Sequence, residues 1–217
     1  MSYQHTINNI VYRFDSLKSL LAKASPFRSG DALAGVCADT YEERIAAQMV
    51  LADVPLKNFL NETVIPYEDD EVTRLIIDEH DTNVFNRISH LTVGSFRDWL
   101  LGDEADATVL KNLAAGIMPE MAAAVSKLMR NQDLILVAKK IEVVTKFRNT
   151  IGLKGHFSTR LQPNHPTDDP KGIAASIVDG LLYASGDALI GINPATDNPL
   201  AAIKILDLID RIRQQAF

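Results

Sequence analysis

The sequence has a single cysteine, Cys37, and a single tryptophan, Trp99, in 217 residues. One cysteine excludes an intrachain disulfide and any cysteine-based metal cluster, and it fits a reducing interior such as the cytoplasm. Basic residues are in the minority, with Lys and Arg totalling 22 against 28 Asp and Glu, for a net charge of −6. That balance argues against a nucleic-acid surface and against an anionic membrane partner. No apolar run approaches the ~20 residues of a membrane span. The opening M-S-Y-Q-H-T has neither a basic nor an apolar stretch of the kind that makes a secretion signal. Neither G-x-G-x-x-G nor G-x-x-x-x-G-K-[ST] occurs, so no phosphate-cradling loop is expected, and Gly186-Asp187 and Gly191 read as turn and strand glycines. No G-x-S-x-G elbow is present. His5, His80, His90, His156 and His165 show no helical ligand spacing with Cys, His or Glu, so no metal site is expected. There is no internal repeat and no low-complexity segment.

What is present is a globular composition, 47% hydrophobic, able to fill a core. Thr6–Phe14 reads as a small hairpin around Asn8-Asn9. Residues 15–140 then read as a run of short helices. Asp15 or Ser16 caps the first, to Ala24, and Ser29-Gly30-Asp31 opens another. Thr40 with Glu43 forms a capping box for a helix to about Ala52, and Pro55 marks a further helix start. Pro66 precedes a helix over 68–78 whose first turn carries Glu68, Asp69, Asp70 and Glu71. Those carboxylates suit the positive end of a helix dipole better than a metal. Thr92 caps the helix bearing Phe96, Trp99 and Leu100, Pro119 starts the next, and 131–140 is one more. Residues 142–146 read as a short strand.

After Gly152 the pattern changes to strand–helix–strand–helix over 157–162, 173–183, 188–192 and 200–214, an α/β signature. Two strands joined by a helix are expected to be parallel neighbours. Along the first strand Arg160 and Gln162 share one face, with Pro163 behind them, and the second ends at Asn193-Pro194. The C-terminal ends of parallel strands are where α/β folds place ligands, so these residues share a candidate rim. The bland alternative is a strand whose polar residues satisfy their neighbours. Asp168-Asp169 lie close to the rim and read as caps of the helix from Pro170, ahead of a catalytic role. His156 and His165 flank the strand and read as loop histidines able to titrate near neutrality. Two βα units cannot close a barrel, so the α/β part reads as incomplete.

Four stretches carry a resemblance: F-R-S-G-D-A-L-A-G-V (27–36), Y-E-D-D-E-V-T-R-L-I (67–76), T-I-G-L-K-G-H-F-S-T-R-L-Q-P-N (150–164) and D-A-L-I-G-I-N-P-A-T-D (187–197). With them the sequence resembles the family of ethanolamine ammonia-lyase large subunits, from about Phe27 onward and more loosely before. The resemblance implies an adenosylcobalamin-dependent lyase that turns ethanolamine into acetaldehyde and ammonia. It implies an α/β fold: a mainly helical region over 1–150, then over 151–217 the first two βα units of a truncated (β/α)8 (TIM) barrel. It implies a smaller second subunit, association of large subunits with one another, and a cytoplasmic setting with enclosure in a bacterial microcompartment left open. Arg160, Gln162 and Asn193 match the family's substrate-contacting positions, and Pro194 a cofactor-contacting one. No D-x-H-x-x-G occurs, in keeping with the family's base-on cobalamin, and no residue of this chain is assigned as catalytic. Family large subunits are about twice as long, so the carboxylates holding the substrate ammonium and most cobalamin contacts are expected beyond Phe217. Two readings follow: the N-terminal part of such a subunit, inactive alone, or a non-catalytic folding or assembly module from a truncated gene. A third is an unrelated small-molecule binder using the same rim.

Overall fold

The structure, a computed structural model, describes residues 3–146, 150–186, 189–196 and 198–216. The chain divides into two units, Met1–Glu142 and Val143–Phe217.

The first unit opens with a hairpin of β1 (Tyr3–Ile7) and β2 (Ile10–Phe14). Asn8 and Asn9 take φ of 50° and 66°. Two positive φ values in succession match the right-handed twist of a tight hairpin, and Asn tolerates them. Among the described residues, nine further α-helices follow the hairpin and α1 (Leu17–Ala24), whose N-terminus is capped by the Ser16 hydroxyl. They are α2 (Ser29–Leu33), α3 (Tyr41–Asp53), α4 (Asn58–Asn61), α5 (Glu71–Asp78), α6 (Thr82–Phe85), α7 (Val93–Leu101), α8 (Ala107–Leu113), α9 (Pro119–Ser126) and α10 (Asn131–Lys140). Leu17, Leu20, Leu51, Leu56, Phe59, Phe96 and Met121 are fully buried in their shared core. Each such side chain contributes roughly 1.5–3 kcal/mol by leaving water. The Glu62 carboxylate accepts from the Tyr3 hydroxyl and from the Leu17 N–H, tying the hairpin to the start of α1.

Several boundaries differ from the sequence reading, each for a local reason. The expected helix over 68–78 is two pieces, a 3-10 turn Tyr67–Asp69 and then α5. Asp70 lies between them with extended backbone, and its carboxylate accepts from the Thr73 N–H at 2.7 Å and the Thr73 hydroxyl at 2.9 Å. A residue capping one helix cannot continue another. Pro55 does not start a helix; it bridges to Thr92, and α4 begins at Asn58. Thr40 caps α3 as expected, but the Glu43 carboxylate accepts from the Asp39 N–H, one residue ahead of the capping-box position. Helices α6 and α8, each capped by an aspartate (Asp81, Asp106), lack a strong enough apolar period to be read from sequence.

The second unit begins with a short antiparallel pair, β3 (Thr145–Lys146) with β4 (Thr150–Ile151). Then β5 (Arg160–Leu161) pairs in parallel with β6 (Leu189–Ile190), with α11 (Pro170–Leu182) between them in sequence and α12 (Pro199–Ala216) after. The register sets Arg160 opposite Leu189 and Leu161 opposite Ile190, and the Gly191 N–H extends it to the Leu161 carbonyl at 2.9 Å. The parallel pairing is as the spacing predicts. The strands are shorter than predicted, because a strand is defined by a partner. Phe157, at the predicted start of the first, is fully exposed. Ala188, the predicted start of the second, and Asp187 lie outside the described residues. A core of Ile173, Ile177 and Ile205, with Leu161, Leu181 and Ile190 packed on it, joins both helices to the strand pair. Among the described residues, no helix is long and apolar enough to cross a membrane.

Candidate functional site at the ends of the parallel strands

Leu161 faces the helices, where a Cβ on Gly180 of α11 would lie 2.5 Å from its Cδ1. That close approach fixes the face of β5: with Leu161 turned inward, its neighbours Arg160 and Gln162 are turned out, and both are exposed. Asn193 is exposed three residues after β6, and Pro194 is half-buried beside it. The structure thus brings the four sequence-predicted residues to the ends of two adjacent parallel strands.

Sequence reasoning missed how these ends are built. The Arg160 guanidinium lies on Gly191: a Cβ there would meet Nη2 at 2.8 Å and Nε at 2.9 Å. The signal was a glycine within the apolar run L-I-G-I, which marks close approach by another group. Asn164 crosses between the strand ends, its Oδ1 accepting from the Asn193 N–H at 3.2 Å. Asp168 does the same further out. Its carboxylate accepts from the N–H of Ala195 at 2.8 Å, the N–H of Thr196 at 3.3 Å and the Thr196 hydroxyl at 3.2 Å. The Ala195 hydrogen bond is the main reason its carboxyl group is held below the ordinary aspartate value. Asp169, in contrast, is the N-cap of α11, accepting from the Gly172 N–H at 2.9 Å. The doubled aspartate was the readable sign, since a cap needs one. His165 is tied into its own turn, with Nδ1 accepting from the Thr167 N–H at 3.3 Å and its ring against Gly172. His156 is exposed.

Among the described residues, no group of three or more His, Cys, Asp or Glu side chains could hold a metal ion. The donor set at the rim is a guanidinium and two amides. It offers fixed donors beside amide carbonyl acceptors, a set suited to a small polar ligand. A separate cleft of about 370 Å³ in the first unit is lined by Ile45, Met49, Arg97, Lys127 and Arg130 among others. Both of its arginines are already paired, Arg97 with Asp98 and Arg130 with Asp133.

Residues 12–216 match the family model described as ethanolamine ammonia lyase large subunit (EutB). Over 209 residues the chain is 43% identical to the ethanolamine ammonia-lyase large subunit of Escherichia coli (strain K12), covering 96% of this chain and 46% of that protein. The large subunit of Salmonella typhimurium (strain LT2) is 42% identical over the same shares. The chain therefore spans about half the length of the curated relatives it matches.

Proposed function

Because this chain belongs to the ethanolamine ammonia-lyase large-subunit family, we propose that it is the N-terminal part of such a subunit and supplies the polar strand ends that hold ethanolamine. The observation that carries this reading is the exposed set Arg160, Gln162 and Asn193 gathered at the C-terminal ends of the parallel pair β5–β6. The pair and its connecting helix α11 support its assignment as the first two strands of a (β/α)8 barrel, where ligands bind at this end.

The reaction converts protonated ethanolamine into acetaldehyde and ammonium. Arg160 donates to the substrate hydroxyl oxygen, and its fixed charge favours that oxygen as electron density shifts toward it. The Asn193 amide donates to the same hydroxyl. The Gln162 side-chain carbonyl accepts from the ammonium group. Adenosylcobalamin, when bound, would supply the radical chemistry. Pro194 would be the residue of this chain that contacts the cofactor. The chain's own work is to orient a small, flexible substrate so that its hydroxyl carbon is presented for attack and its ammonium is held apart. Partners on this reading are the small subunit and other large subunits, in the cytoplasm.

The half-length coverage of the relatives also supports the narrower reading that these 217 residues alone are a folding or assembly module. One assay separates the two. Acetaldehyde release from ethanolamine is measured with the full-length subunit carrying this sequence, the small subunit and adenosylcobalamin, and again with the 217-residue chain in its place. Product from the full assembly and none from the short chain is the expected pattern. No product from the full assembly would overturn the proposed activity.

A further inference from the structure

The ladder between β5 and β6 is two residue pairs long. So short a ladder leaves the loops beyond it free unless something else fixes them, and Asn193 lies in such a loop. The residues that fix it come from the loop after β5. Asn164 accepts from the Asn193 N–H, while its own N–H returns to the Gln162 carbonyl at 3.0 Å. Asp168 takes the next turn of the same loop with hydrogen bonds to Ala195 and Thr196. It reaches them from a left-handed backbone, φ 53°, a conformation uncommon for any residue but glycine and tolerated by Asp and Asn. Two successive N–H groups converging on one carboxylate form an anion-type site, so the carboxylate holds both where a neutral amide oxygen holds them less strongly.

We propose that Asp168, assisted by Asn164, is a positioning residue that clasps the loop carrying Asn193 and Pro194 to the strand end carrying Arg160 and Gln162. The clasp sets where Asn193, which shares the substrate's hydroxyl with Arg160, lies relative to Arg160 and Gln162. Asp168 does this without touching substrate, and the inference rests on the reading of the rim given above. Released from the clasp, the loop populates the binding-competent arrangement for a smaller fraction of the time, and apparent affinity falls by that fraction.

The test uses the full-length enzyme with small subunit and adenosylcobalamin, in Asp168→Gly and Asp168→Asn forms. Both substitutes accept the left-handed backbone, so the change isolates the carboxylate. Two quantities are read: steady-state kinetics with ethanolamine, and amide hydrogen exchange at Ala195 and Thr196. In Asp168→Gly, exchange at both amides speeds up and KM rises roughly tenfold, while kcat stays within about threefold of wild type. Asp168→Asn keeps one acceptor oxygen and falls between the two; it carries the test alone if the glycine form fails to assemble. A purely structural role would lower the active fraction, and so the apparent kcat, and leave KM unchanged. Arg160→Ala is measured alongside. If KM stays within about twofold of wild type in the Asp168 variants while Arg160→Ala is impaired, the clasp proposal is overturned and the rim reading stands. If Arg160→Ala is unimpaired as well, the rim reading itself fails.

Discussion

The guanidinium of Arg160 rests on Gly191, and this pair makes a sharp prediction. A methyl group at 191 would come within 2.8 Å of Nη2, so the guanidinium must move. It sits on an exposed, flexible side chain, so the fold should barely notice, with stability changed by no more than about 0.5 kcal/mol. Catalysis should notice, because misplacing a contact by ~1 Å can cost on the order of a hundredfold. Gly191→Ala is therefore expected to lower kcat/KM about 10- to 100-fold with the melting temperature nearly unchanged; unchanged kcat/KM would show that the glycine does not place the arginine. Asp168 gives a second prediction, from acid. Its pKa is lowered chiefly by the Ala195 N–H, so its contribution is present above the ordinary carboxylate range and is lost as pH falls through the lowered value. In an NMR titration the Ala195 amide should shift with a midpoint below the usual ~3.9, and a midpoint at or above it would contradict the hydrogen bond. At this scale the sequence already placed Arg160, Gln162 and Asn193 at the strand ends, through strand alternation and proline stops. It hid Gly191 and Asp168, whose roles depend on contacts made across some thirty residues of intervening chain.

Helices and their caps were the most readable elements. The span Asn131–Lys140, the Pro119 start and the Thr92 cap all appear as the local chemistry dictates. Such signals lie within one turn of the residues they govern. The strands were read too long, because pairing is a tertiary property and β5 and β6 meet over two residues. The acidic run 68–71 was read as one helix start because the sequence does not say which carboxylate will turn back to cap. Close packing between elements was invisible altogether. Gly116 ends the 3-10 turn Ala114–Gly116, where a Cβ would lie 2.5 Å from the Phe85 backbone nitrogen and 2.9 Å from the Phe85 Cα in α6. Backbone cannot give way as a side chain can. Gly116→Ala is expected to destabilise the first unit by about 1–3 kcal/mol, read as a lowered midpoint in urea unfolding of the chain. An unchanged midpoint would mean that α6 and this turn are not in contact.

Over the whole molecule, much apolar surface remains in water. In the second unit Leu200, Ile203 and Leu206 of α12 are 70%, 51% and 54% exposed, and Leu182 and Tyr183 at the end of α11 are 80% and 79% exposed. Exposed apolar side chains in such number mark contact sites where they form a patch. The 217-residue chain is expected to self-associate at tens of micromolar, roughly where such species aggregate; sedimentation showing a compact monomer there would contradict that expectation. On the proposed function activity belongs to the full assembly, and one measurement on it bears most directly on the claim that these strand ends hold ethanolamine. Arg160→Ala is introduced into the full-length subunit, which is assembled with the small subunit and adenosylcobalamin, and steady-state kinetics are recorded. Loss of one charge-assisted hydrogen bond in the transition state should cost about 2–4 kcal/mol, or roughly 30- to 1000-fold in kcat/KM, with Arg160→Lys between Ala and wild type because it keeps charge but not the planar fork. A kcat/KM for Arg160→Ala within about threefold of wild type, roughly 0.65 kcal/mol, would contradict the account and leave Arg160 a structural residue on a strand.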